Sequence, residues 1–160
     1  MRESENVHPV DIATAALGSW GPPWLEWMLS ELGQREIAGT RHNPRITWYH
    51  SFTAAGEAPD EVAWCSSILC AAFEQQGILS TRNKGAVSWK TWGDPSPLRL
   101  GAVLYFGKSD PDARGTGHVA LCGGWNGSRV LALGGNQGNA VSAAHRARET
   151  IDAIRWPRLA

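Results

Sequence analysis

Residues 64–77 read Trp64-Cys65-Ser66-Ser67-Ile68-Leu69-Cys70-Ala71-Ala72-Phe73-Glu74-Gln75-Gln76-Gly77. Ile68, Leu69, Ala72 and Phe73 recur at helical spacing, which predicts a helix with one buried face and Gly77 as its stop. Before it, Glu57-Ala58-Pro59-Asp60-Glu61 is a polar, Pro-containing loop from which a helix can start. Cys65 therefore falls in or near the first turn. There, unpaired backbone amides and the positive end of the helix dipole favour a thiolate over a thiol. A thiolate supplied with a base is a nucleophile. The competing reading makes Cys65 a small buried hydrophobe. Cys70, five residues on, points elsewhere around the helix and reads as core.

Upstream, Gly21-Pro22-Pro23 breaks the chain ahead of Trp24-Leu25-Glu26-Trp27-Met28-Leu29-Ser30-Glu31-Leu32. Trp24, Leu25, Met28, Leu29 and Leu32 share a face, Pro23 suits the first turn, and Gly33 suits the stop. The tryptophans here lie on or beside the apolar stripe and read as core. Residues 1–20 read as a lead-in, with a short helix expected at 11–17 capped by Asp11. Residues 34–63, punctuated by Gly39, Asn43-Pro44, Gly56 and Pro59, read as a long loop with a short helix around Ile46 to Phe52. A loop of that length running into Cys65 fits a cleft wall. His42 and His50 lie within it; either is placed to touch a substrate, and each reads first as a surface histidine without a role.

Downstream, Gly85 to Trp92 suits a short helix closed by Gly93, and Asp94-Pro95-Ser96-Pro97 reads as a break. The period then changes to that of strands. Ala102 to Phe106 and Gly117 to Cys122 are β-prone. Asn126-Gly127 is a strong hairpin signal, with Val130 to Leu133 as the partner strand. Val141 to Ala144 and Ile151 to Trp156 complete a sheet of about five strands. Helices followed by an antiparallel meander make an α+β fold.

The chain has 160 residues, enough for one domain with its own core, and its 15 basic and 15 acidic residues cancel. No strong field therefore draws it to nucleic acid. No apolar run approaches the ~20 residues that span a bilayer. The acidic start Met1-Arg2-Glu3-Ser4-Glu5-Asn6 carries no secretory signal, so synthesis in the cytoplasm is expected. Three cysteines, Cys65, Cys70 and Cys122, have no paired spacing, which argues against a disulfide framework and against zinc. Neither a metal nor a cofactor is expected.

His118 opens the run Gly117-His118-Val119-Ala120-Leu121, where a sheet can hold a general base rigidly. Alternation puts His118, Ala120 and Cys122 on one face, and Val119 and Leu121 on the other. Gly134-Gly135-Asn136-Gln137 ends the partner strand, so residues 118 and 136 fall near the same end of the hairpin. An amide there can fix the imidazole tautomer and aim its other nitrogen at sulfur.

From Pro23 to Pro157 the chain resembles the papain-like peptidoglycan hydrolases, the superfamily that contains the CHAP and NlpC groups. The likeness rests on Pro23-Trp24-Leu25, Glu36-Ile37-Ala38-Gly39, Asn43-Pro44-Arg45-Ile46, Trp64-Cys65-Ser66, Ser88-Trp89 with Trp92-Gly93, Gly117-His118-Val119 and Gly134-Gly135-Asn136-Gln137. The resemblance implies Cys65 as nucleophile, His118 as base and Asn136 as third member, with Gln137 the alternative. It also implies a papain-like fold over a single domain, 1–160. The backbone N–H of Cys65 would serve the oxyanion hole, a donor worth ~3 kcal/mol. Trp64, Ser66 and Glu61 are candidate cleft residues. Where the family usually has Gly-Asp before its first strand, this chain has Gly101-Ala102.

The implied reaction is hydrolysis of an amide bond in peptidoglycan, as an endopeptidase or as an N-acetylmuramoyl-L-alanine amidase. Such a monomer would act at the cell wall as a phage lysin or a delivered antibacterial effector, and an effector would have an immunity protein as its inhibitor. Two other readings compete. One is a non-catalytic wall-binding module that stacks tryptophans on sugars. The other is a thiol redox protein, against which the lack of C-x-x-C counts.

Overall fold

The computed structural model describes residues 21–107 and 117–159. The helix expected at 11–17 lies outside the described residues. Helix α1, Pro23–Ser30, has Pro23 at its first position and buries Trp24, Leu25, Met28 and Leu29. Proline costs nothing there because the first-turn N–H has no helical acceptor. Leu32, expected on the same stripe, lies beyond the helix end and is 41% exposed. Helix α2, Pro44–His50, starts from Asn43, whose side chain accepts the Arg45 N–H at 2.8 Å. That cap satisfies one of the first-turn amides left without a partner.

Helix α3, Cys65–Glu74, is the buried rod of the fold, with every residue from Cys65 to Phe73 buried. It ends as its sequence implies. Gly77 takes φ 73°, its N–H bonds Glu74 O, and the Ile78 N–H reaches back to Phe73 O at 3.1 Å. This paired closure needs a left-handed residue, which glycine supplies without strain. A short 3-10 helix, Ala86–Thr91, follows.

The strands are β1 (Asp94–Pro95), β2 (Val103–Phe106), β3 (His118–Trp125), β4 (Arg129–Gly134), β5 (Ser142–Ala147) and β6 (Ile151–Trp156). They form one antiparallel sheet in the order β1-β6-β2-β3-β4-β5. The sheet has six strands rather than five, because Asp94-Pro95, which reads as a break, pairs with Trp156 and Arg155 of β6. Proline is tolerated there because the strand lies at the sheet edge. The β3–β4 turn forms at Asn126, whose backbone N–H bonds Arg129 O and whose side chain accepts the Ser128 and Arg129 amides.

Strand alternation divides the core. Val103, Tyr105, Val119, Leu121 and Leu133 face the helices, whereas Leu104, Phe106, Ala120, Cys122 and Ala132 fill the other face. The fold is thus α+β, with helices layered on one side of the sheet. Ala102, which stands where an aspartate was expected by resemblance, is fully buried in the second cluster. Among the described residues no helix is long and apolar enough to cross a membrane.

His50 ties α2 to α3, with its Nδ1 2.7 Å from Ser67 Oγ. Its ring is fully buried, and burial, reinforced by the Lys84 ammonium, pushes its pKa down to about 4. In the unfolded chain the ring titrates near pH 6.5, so between the two values the unfolded state binds more protons. Stability is therefore expected to fall as pH drops, by about 2 kcal/mol from pH 7 to pH 5 through this group. Urea denaturation at both pH values checks it: His50→Asn should remove most of that difference, and equal differences in parent and variant would refute the assignment.

Candidate active site

Three consecutive side chains at the start of α3 point in three directions, because helical neighbours are about 100° apart. Cys65 turns toward the first residues of β3, where the backbone N–H of Val119 acts on its sulfur. Ser66 turns inward: its hydroxyl donates to Asn83 O and accepts the Trp89 indole N–H at 2.8 Å. Ser67 meets His50. The helix start is thereby fastened on two sides, leaving the sulfur on the third.

Trp64, immediately before the helix, is fully buried. Its indole N–H donates to Glu36 Oε1 at 2.8 Å, and its ring stacks on Tyr49 with centroids 5.9 Å apart. Trp64 and Ser66, candidates for the cleft, are therefore core residues that fasten α3. A large apolar ring and a fully bonded hydroxyl gain more from burial than from water. Glu61 is exposed. The neighbouring Asp60 staples the loop: its carboxylate accepts the Ile37 and Asn43 amides at 2.8 Å and lies 3.1 Å from His42 Nδ1. Burial opposes the Asp60 charge, yet these donors hold its carboxyl below the usual value. His42, Asp60 and Glu61 cluster within 4.8 Å, but Asp60 is already committed to the loop amides.

His118 is the first residue of β3, pairs with Phe106 across the β2–β3 ladder, and is buried. Its Nε2 lies 3.0 Å from Gln137 Oε1. The Gln137 NH2 donates to Ala132 O at 3.1 Å and to Ser142 O at 2.8 Å. Only an NH2 can serve two carbonyls, so the oxygen must face the ring, and Nε2 must carry a proton. In the neutral imidazole the lone pair then sits on Nδ1.

Gln137, not Asn136, thus orients the imidazole. The expectation for Asn136 assumed that the strand continues past Gly134. Instead β4 ends there, Asn136 adopts φ 59°, and the turn brings Gln137 back into the interior. Two glycines allow this turn to lie close to the helix. A Cβ at Gly135 would stand 2.5 Å from the Trp64 ring, and one at Gly134 would stand 3.0 Å from the Ala120 Cβ. The segment 33–36 straps the same turn, with the Glu36 N–H on Asn139 O and the Val141 N–H on Gln34 O.

Cys65 is 6% exposed, and burial raises its thiol pKa above the ordinary value. The amides of Val119, Ser66 and Cys65 and the charge of Arg146 oppose that rise without cancelling it. The expectation of a resting thiolate is therefore corrected: the position at the helix start does not outweigh desolvation. Arg146 lies on β5. Its guanidinium lies 5.2 Å from the Phe106 ring centroid, and Phe106 in turn neighbours the His118 ring at 6.2 Å.

No family model matches the chain, and no curated protein matches it.

Gly135→Ala is expected to destabilise the protein by about 2 kcal/mol, the usual scale for overpacking against an immovable ring. Urea denaturation followed by tryptophan fluorescence checks it, and a change under 0.5 kcal/mol would show that the turn has room to spare.

Proposed function

We propose that this chain is a papain-like cysteine hydrolase that cuts amide bonds of peptidoglycan, with Cys65 as nucleophile, His118 as base and Gln137 as the orienting amide. The observation that carries the reading is the double constraint on His118. Gln137 holds its Nε2 as N–H, and the backbone N–H of the very next residue, Val119, lies near enough to the Cys65 sulfur to favour its anion.

The chemistry follows from that arrangement. The thiol proton of Cys65 passes to His118 Nδ1 as the sulfur attacks the substrate carbonyl. A preformed ion pair is not required, because the proton moves during the attack. The carbonyl oxygen becomes an oxyanion beside the N–H of Cys65, one of the first-turn amides without a helical acceptor. The imidazolium then protonates the leaving amine, the C–N bond breaks, and an acyl thioester remains. Water, deprotonated by the same imidazole, releases the acid and restores the thiol. Gln137 Oε1 stabilises the imidazolium at both stages.

The choice of peptidoglycan comes from the resemblance of the sequence motifs. It leaves the bond open between an endopeptidase and an N-acetylmuramoyl-L-alanine amidase, and the setting open between a lysin and an effector. The wall-binding alternative draws little support: among the described tryptophans only Trp125, 45% exposed at the β3–β4 turn, stands well out of the protein.

Incubation with purified sacculi tests the proposal, with soluble fragments identified by mass spectrometry. Parent protein should release fragments with new amino and carboxyl ends, and Cys65→Ala should release none; release by that variant would remove the mechanism. Gln137→Ala should lower kcat by roughly 10- to 100-fold through loss of the oriented tautomer, whereas Asn136→Ala should retain activity within about threefold. The reverse order would return the third role to Asn136.

A further inference from the structure

The run Glu36-Ile37-Ala38-Gly39 takes no part in the reaction of Cys65, His118 and Gln137. Its first residue nevertheless bonds to both halves of the site. The Glu36 backbone N–H donates to Asn139 O at 3.0 Å, in the turn that carries Gln137. Its Oε1 accepts the Trp64 indole N–H at 2.8 Å, in the residue that precedes Cys65. One residue therefore joins two segments that are far apart in the chain.

The strap that carries Glu36 is held along its length. Gly33 N–H bonds Val141 O at 3.0 Å, Val141 N–H bonds Gln34 O at 2.8 Å, and Arg35 bridges Ala140. The turn closes on itself where Gln137 N–H donates to Ala140 O at 3.1 Å. From the other side, Ile37 N–H reaches the Asp60 carboxylate at 2.8 Å, and Asn43 Nδ2 reaches Arg35 O at 2.9 Å. The Glu36 side chain is thus delivered to the indole by backbone fixed on both flanks. Trp64 is the receiving end. Its ring is fully buried, stacked on Tyr49, and packed so close to Gly135 that a Cβ there would stand 2.5 Å away. Its carbonyl accepts the Ile68 N–H at 3.1 Å and so opens α3. An indole N–H can only donate, and a buried donor without an acceptor is costly, so the ring turns until it finds the Glu36 oxygen. Any swing of that ring is passed to the peptide that joins Trp64 to Cys65, which supplies the oxyanion N–H.

We propose that Glu36 is a positioning residue that locks the Cys65 half of the site to the Gln137–His118 half. Its backbone N–H holds the turn, and its carboxylate holds the indole. The inference rests on Cys65 and His118 as the reacting pair. Glu36 forms no bond to the substrate in this scheme; it keeps sulfur and imidazole within the narrow tolerance that attack on a carbonyl requires.

Two readouts on the full chain test it. The first is cleavage of soluble, crosslinked peptidoglycan fragments prepared with a muramidase, followed as new amino ends over a range of concentrations. Glu36→Ala should lower kcat by roughly tenfold and leave KM within about threefold, because alignment is lost and binding is not. Glu36→Gln keeps an oxygen that can accept the indole N–H and should stay within about threefold of the parent in kcat. A Glu36→Ala kcat within that same margin would overturn the proposal, since packing alone would then fix the indole. A Glu36→Gln variant as impaired as Glu36→Ala would overturn it too. The second readout is amide hydrogen exchange by nuclear magnetic resonance, which needs no substrate. Glu36→Ala retains the N–H on Asn139, so any loosening of the turn must come through the lost indole bond. Exchange should quicken by about tenfold at both Ile68 and Val141, the scale of one buried donor left without its acceptor, and stay unchanged at Cys122, whose N–H bonds Ala102 O within the sheet. Faster exchange at Ile68 alone would reduce Glu36 to a local partner of Trp64 and refute the lock. If Glu36→Ala does not fold, as judged by near-ultraviolet circular dichroism, Glu36→Asp takes its place, with a carboxylate too short to reach the indole and the same limits. Coupled exchange in a parent that cleaves no peptidoglycan would refute the hydrolase reading and leave the lock. Cleavage that Glu36→Ala leaves intact would do the opposite.

Discussion

The site depends on one carboxamide. Gln137 gives both N–H bonds to the backbone carbonyls of Ala132 and Ser142, and its oxygen to His118. Because those carbonyls belong to β4 and β5, the imidazole tautomer is determined by the sheet itself. The amide cannot flip without leaving two buried carbonyls unbonded and setting an N–H against an N–H, a loss of several kcal/mol. Rigid placement of the base by secondary structure is what proton transfer to a defined nitrogen requires.

The other half of the site is built by crowding. Trp64 is wedged between Tyr49 and the Gly135 backbone and bonded to Glu36, while Ser66 and Ser67 fasten the next turn to Trp89, Asn83 and His50. These contacts hold α3 against β3, with the sulfur near enough to the Val119 amide for that N–H to favour its anion. The glycines of the Gly134-Gly135 pair matter for the space they leave as much as for the turn they permit. Side chains at either position would push the Gln137 turn off the helix and loosen both halves together.

Much of this was legible in the residues, and the misses share a cause. The three helices and the Asn126 turn follow local signals: proline and asparagine at starts, glycine at a stop, apolar spacing between. That Cys65 heads α3 and His118 heads β3 was readable from the apolar spacing and the β-prone run. What escaped depended on contacts between distant segments. Strand alternation pointed to Asn136, because nothing local reveals that a left-handed residue resets the phase one position before Gln137. The helix start argued for a thiolate, because burial of the sulfur is a property of the assembled layers. Asp94-Pro95 read as a break because its partner lies on β6, some 60 residues away.

The buried, neutral sulfur has a consequence for durability. Peroxide and disulfide exchange act fastest on exposed thiolates, and a largely buried thiol whose anion is disfavoured by burial offers little of that form. Cys70 and Cys122 are also buried, and burial holds the Cys122 thiol up at about 11. All three sulfurs are buried, so each is expected to react more slowly with dissolved oxidants than an exposed thiolate would. Reactivity is withheld from the resting molecule and released only as a proton acceptor and an electrophile arrive together.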